Sequence, residues 1–195
     1  LSDEFTLMAG YFDQAPANLQ TAAMQGPTTI LTRSLAHWQG RLGPALAEEA
    51  AKLASLRQAG PHDTLVALIA PQVEALALEN RGQLDSAIAV LRTAVAYEAS
   101  LPMDFGPPAA VRPVHEALAE LLLVNGRFAA AQVAFQRALE RTPGRARTLA
   151  GLVLAARGAG DSVAAADALT HLQRNFHAAD TGALEALMAS FTRRR

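Results

Sequence analysis

The chain has 195 residues, 51% of them hydrophobic, enough to bury a continuous core. Its 17 basic and 18 acidic side chains are interspersed and leave a net charge of −1, which excludes the basic footprint of a nucleic-acid binder, the terminal Arg193-Arg194-Arg195 being the one basic run. The absence of cysteine excludes disulfides, thiolate nucleophiles and sulfur-ligated metals, and no apolar run approaches the roughly 18 residues that membrane insertion requires.

Residues 1–27 read as an N-terminal segment with one short helix near 3–12 followed by irregular chain around Pro16 and Pro27. Residues 28–60 read as a degenerate helix pair near 28–39 and 44–58, with Glu49 and Lys52 where apolar residues are expected. The next pair, 61–98, comprises helices near 63–80 and 84–98, and Pro71 should start, kink or split the first of them. Residues 99–110 hold Pro102, Gly106, Pro107 and Pro108, cannot continue a helix and form a loop. Two further pairs follow, 111–145 with helices near 111–125 and 128–141, and 146–177 with helices near 146–157 and 162–175. Residues 178–195 read as a capping helix near 181–192. Asp180 is its N-cap, and Leu184, Leu187, Met188 and Phe191 recur at i, i+3, i+4 and i+7.

An internal period underlies these pairs. Gly126 is followed by Phe128, Ala131, Phe135, Ala138, Leu139 and Pro143; Gly160, at 160 − 126 = 34 residues on, is followed by Ala165, Leu169 and Leu172. Gly82 carries the same punctuation, with Leu84, Ala87, Leu91 and Ala94, at an interval of 126 − 82 = 44; the excess falls in the proline-rich 99–110 loop. Alanines let two helix axes approach, large apolar residues fill the flanking gaps, and the glycine ends the first helix of each pair. One such hairpin cannot bury its apolar surface alone, so neighbours must stack.

At Gly126 to Pro143 the order of glycine, aromatic, alanine, aromatic, Ala-Leu and proline resembles the tetratricopeptide repeat family. The match is good over 112–145, moderate over 146–177 and 68–98, and poor before 60. It departs from the pattern at His115, where the family has a large aromatic, and at Val153, where it has glycine or alanine. Phe105-Gly106-Pro107-Pro108 with Pro113-Val114-His115-Glu116 looks like an inter-repeat insertion of some bacterial members. The resemblance implies an all-α fold, a tetratricopeptide-like α-α superhelix forming a right-handed solenoid of about three to four helix hairpins plus a C-terminal capping helix. It also implies that first helices line a concave groove for a peptide or partner protein. Carried over by position, that groove includes Gln72, Leu76, Glu79, Asn80, Glu116, Glu120, Leu123, Arg147, Leu154 and Arg157, with Phe105 reaching it from the loop. Glu116 and Glu120 stand where a clamp for a C-terminal carboxylate would need cations or amides, which disfavours that ligand.

No catalytic constellation is legible, and the chain reads as non-enzymatic without cofactor or metal. His115, Glu116, Glu120 and Asp104 could ligate a metal only if the loop folded back, and ordinary solvated or hydrogen-bonded roles account for them more simply. Gly158-Ala159-Gly160 follows a helix and lacks a third glycine, so it is punctuation, not a nucleotide loop. The function expected is a protein-interaction scaffold whose ligand is a protein or peptide, with self-association as a further option. Charge reversal at Glu116 and Glu120 is expected to change partner capture without unfolding. Two alternatives stand beside it: a non-catalytic regulatory or assembly module of a larger protein, suggested by the non-methionine Leu1 and the degenerate first pair, and a small-ligand or metal pocket under the 99–110 loop. For compartment, cytoplasm is preferred, and periplasm follows if Leu1 is a processed start.

Overall fold

The computed structural model describes residues 64–102, 112–179 and 182–191, and all regular structure among them is α-helical. The helices are α1 (Thr64–Asn80), α2 (Leu84–Ser100), α3 (Val114–Val124), α4 (Phe128–Arg141), α5 (Ala146–Ala159), α6 (Ser162–Asn175) and α7 (Ala183–Ala189). The chain divides into two compact units, Leu1–Val111 and Arg112–Arg195. In the first, α1 and α2 pack along each other. In the second, α4 lies against both α3 and α5, α5 packs on α6, and α5 also meets α3 and α7. The expected helices near 3–12, 28–39 and 44–58, the loop residues Asp104 and Phe105, the Asp180 cap and the terminal arginines lie outside the described residues.

One turn joins the hairpins. Gly82, Gly126 and Gly160 have φ of 74°, 72° and 80°, a left-handed conformation that a side chain would strain. The amide of the residue after each glycine reaches back five residues: Gln83 N to Leu78 O at 2.9 Å, Arg127 N to Leu122 O at 2.9 Å, Asp161 N to Ala156 O at 2.9 Å. These bonds satisfy carbonyls that a helix end leaves open and reverse the chain in three residues or fewer. At the same offsets beyond each glycine sit Ala87, Ala131 and Ala165, all buried, small side chains that let the helices approach closely.

Between α4 and α5 the fit is closer still. A Cβ on Gly151 would lie 2.2 Å from Cζ of Phe135, and one on Gly158 would lie 2.4 Å from Cδ1 of Phe128. Two rings one heptad apart on α4 thus rest in two glycine notches one heptad apart on α5, in antiparallel register. Gly158 is therefore a helix residue with a packing role, and α5 runs two residues beyond the expected 157, to Ala159.

Other elements also differ from the sequence reading. Helix α2 runs on to Ser100, two residues past the expected 98 and into the expected 99–110 loop. Pro71 neither starts nor splits α1, which is continuous across it; on the following residue, Gln72 Nε2 donates to the Leu68 carbonyl at 3.0 Å. Helix α3 begins at Val114 instead of 111 because Pro113, at ψ 142°, is extended, and a residue before proline, Arg112 here, is disfavoured in helical conformation. Helix α7 starts after Gly182, which has φ 85°, and ends at Ala189, three residues short of 192.

Asp161 caps α6. Its Oδ1 accepts from Ala164 N at 3.0 Å and its Oδ2 from Gln132 Nε2 at 2.8 Å, tying α4 to the start of α6. The Ala164 amide, followed by the Gln132 amide, holds this carboxyl below its ordinary value. A depressed folded-state pKa stabilises the fold above the unfolded carboxylate value, and that contribution disappears as pH falls through the folded one. Asp161→Asn should retain the cap while flattening the acid limb of stability between pH 5 and 2, roughly the window of an ordinary Asp and below. Asp161→Ala should lower the thermal midpoint at neutral pH as well; circular dichroism melts across pH distinguish the two.

Candidate functional site

The sequence singles out four groove residues on α1. Gln72 is buried, Leu76 and Glu79 are half-buried, and Asn80, the last residue of that helix, is exposed. The second unit holds the rest that the structure describes.

Glu116 and Glu120 are one turn apart on α3, and their side chains are 0% and 1% exposed. Each carboxylate is met by arginines. Arg145 addresses Glu116 with two donors, Nε to Oε2 at 2.8 Å and a terminal nitrogen to Oε1 at 3.2 Å, and the Thr148 hydroxyl donates to Oε2. Arg147 addresses Glu120 in the same way, at 2.5 Å and 3.1 Å, and Arg112 adds a third donor at 2.7 Å. Planar guanidinium against planar carboxylate gives two parallel charge-assisted bonds, the strongest common pairing in a protein interior. Arg145 and Arg147 enter from the first residues of α5 and the turn before it. The two ion pairs therefore bolt α3 to the start of α5, side by side.

This geometry revises one expectation. Carboxylates so enclosed do not present themselves to a partner, and reversing their charge would strand arginines in the interior, so reversal without unfolding does not fit. The sequence showed acids one turn apart but not their partners. Arg112, Arg145 and Thr148 were missed, although the alternation Arg145, Arg147 opposite Glu116, Glu120 is a signal that was there to find.

Arg147 has a second task. Its NH1 donates to Ser190 Oγ at 3.2 Å, and its guanidinium lies 4.5 Å from the centroid of the Phe191 ring. Phe191 is 3% exposed and meets Phe135 edge to face, with centroids 6.4 Å apart.

In the second unit the groove residue that faces solvent is Arg157, near the end of α5. It lines an open cleft of about 460 Å³ between α5, α6 and α7. Leu169, Phe176, Leu184 and Met188 supply apolar walls, and Gln173, His177 and Glu185 add polar groups. An apolar recess rimmed by a few polar handles is the usual form of a binding cleft. Leu154 is half-buried and Leu123 buried, so neither offers much to a ligand. His115 is half-buried, His171 and His177 are exposed, and among the described residues no three His, Asp or Glu side chains converge on a metal position. Among the same residues no helix is long and apolar enough to cross a membrane.

Comparison with protein-family models, with curated proteins and with solved structures finds no significant match.

Proposed function

We propose that this chain is a non-catalytic protein-interaction scaffold of tetratricopeptide type, which takes a peptide segment of a partner protein in the cleft between α5, α6 and α7. The observation that carries the reading is the packing order in the second unit: α5 meets α3 and α7, while α4 and α6 are the hairpin partners. First helices are thus neighbours, as they must be to share one binding face, and the cleft opens beside the last of them. The recurrent glycine turn and the 34-residue spacing support the same reading. On this view the working groove residue is Arg157, with Leu184 and Met188 as apolar contacts, while Glu116, Glu120 and Arg147 hold the helices that form the face.

Selection of a displayed random-peptide library on the purified chain tests this. Enriched peptides should carry an acidic residue beside an apolar one and lose roughly tenfold or more in affinity for Arg157→Glu, the scale of one lost charge-assisted bond. The thermal midpoint should be unchanged, since Arg157 is exposed. Peptides that bind both proteins equally, or no enrichment, would remove the cleft from the function.

A further inference from the structure

We infer that the pocket formed by Phe135 and Arg147 is a recognition site for an aromatic side chain, occupied within the chain by Phe191 and open to an equivalent segment when α7 releases it.

The walls of the pocket are held without the plug. Phe135 is seated in the notch at Gly151, and Arg147 is fixed by two bonds to the buried Glu120. Neither arrangement involves α7, so the pocket keeps its form whether or not Phe191 is in it. It offers a ring at 82° to its occupant on one side and a guanidinium over the occupant's ring face on the other, both suited to an aromatic side chain. Beside the ring, Arg147 NH1 also reaches a hydroxyl, Ser190 Oγ, at 3.2 Å. The ligand class is therefore an aromatic residue preceded by a hydroxyl or similar acceptor.

The plug, by contrast, is lightly held. Helix α7 has seven residues and none of them is buried. A helix so short has little stability of its own. Its packing partner is α5, and on the α6 side it stands away across the cleft. Its attachment depends on the residue after its C-cap, Phe191, together with the Arg147 contact to Ser190. A firmly built pocket with a weakly built occupant is the arrangement in which one occupant can replace another. The inference stands on these contacts and does not depend on the peptide cleft.

The test uses the full chain carrying Phe191→Ala and a fluorescent peptide of residues 182–191. Hydrogen exchange should show Ala186, Ser190 and Phe191 amides, bonded to Gly182, Ala186 and Met188 in the wild type, losing protection, while 146–175 keeps its own. The peptide should bind the variant at least tenfold more tightly than the wild type, whose pocket is filled, and a peptide with alanine for its phenylalanine should bind neither. Phe191→Trp should restore protection and exclude the peptide. Unfolding of Phe191→Ala as a whole would make Phe191 part of the core and overturn the inference. So would retained protection of 186–191, or peptide binding that is equal in both proteins or absent from both.

Discussion

Glu120→Ala should destabilise the 112–191 unit by about 3–5 kcal/mol, the range for removing one partner from a buried ion pair. The mechanism is less the lost attraction than what remains. The Arg112 side chain is 7% exposed and would keep its charge in the interior without the Glu120 bond. Arg147, 26% exposed, can turn part of its charge to water and would suffer less. Glu116→Ala should follow the same course with a smaller loss, because Arg145 is 25% exposed and, among the described residues, no second arginine is placed against Glu116. Glu→Gln at either position retains shape and one acceptor and should fall between wild type and alanine. Glu116→Arg/Glu120→Arg should leave no cooperative transition for this unit. Urea titration followed by circular dichroism measures all of these, and a shift under about 1 kcal/mol for Glu120→Ala, the level of a surface pair, would mean that water reaches the network.

Gly151→Ala should also be costly, against the usual sign for glycine in a helix. Replacing a mid-helix glycine with alanine ordinarily stabilises by about 1 kcal/mol. Here the added methyl would meet three atoms of the Phe135 ring, the nearest at 2.2 Å, and Phe135 is 0% exposed with no free direction to turn. Overpacking of this kind costs about 1–3 kcal/mol, so helix propensity should lose. Gly158→Ala is the internal control. The Phe128 ring it would strike is 36% exposed and can swing outward, so the net change should be near zero or stabilising. Phe135→Leu should recover part of the Gly151→Ala loss, a coupling that a double-mutant cycle in chemical denaturation reads directly. Equal effects at Gly151 and Gly158 would show that the ring contacts do not govern the outcome.

Much of the helical layout was legible because it is written in short-range terms. A glycine with φ above zero, an alanine five residues on and an apolar residue between them are a local grammar, and it located α4 and α6 to the residue. Where a residue serves two purposes the grammar fails. Gly158 looks like a breaker until Phe128 is seen above it, and Pro71 looks like a boundary although α1 continues through it. The site was less legible for a related reason. Glu116 and Arg145 are 29 positions apart, and Glu120 and Arg147 are 27 apart, so nothing local distinguishes acids that point inward from acids on a solvated face. Arg157 was marked by position alone, and the capping-helix pattern named Phe191 without its partners, the Phe135 ring and the Arg147 guanidinium.

The packing order of the second unit also bears on how the chain reaches its structure. Among the described residues of this unit, the helices pack mainly on elements one or two places away in sequence, with Phe135–Phe191 a longer-range contact added at the end. Such low contact order closes small loops at little entropic cost and permits assembly in microseconds to milliseconds, hairpin upon hairpin. The ion pairs between α3 and α5 span 29 and 27 positions, which makes them a seal on a neighbouring hairpin already in position and assigns them a part in holding the structure more than in finding it.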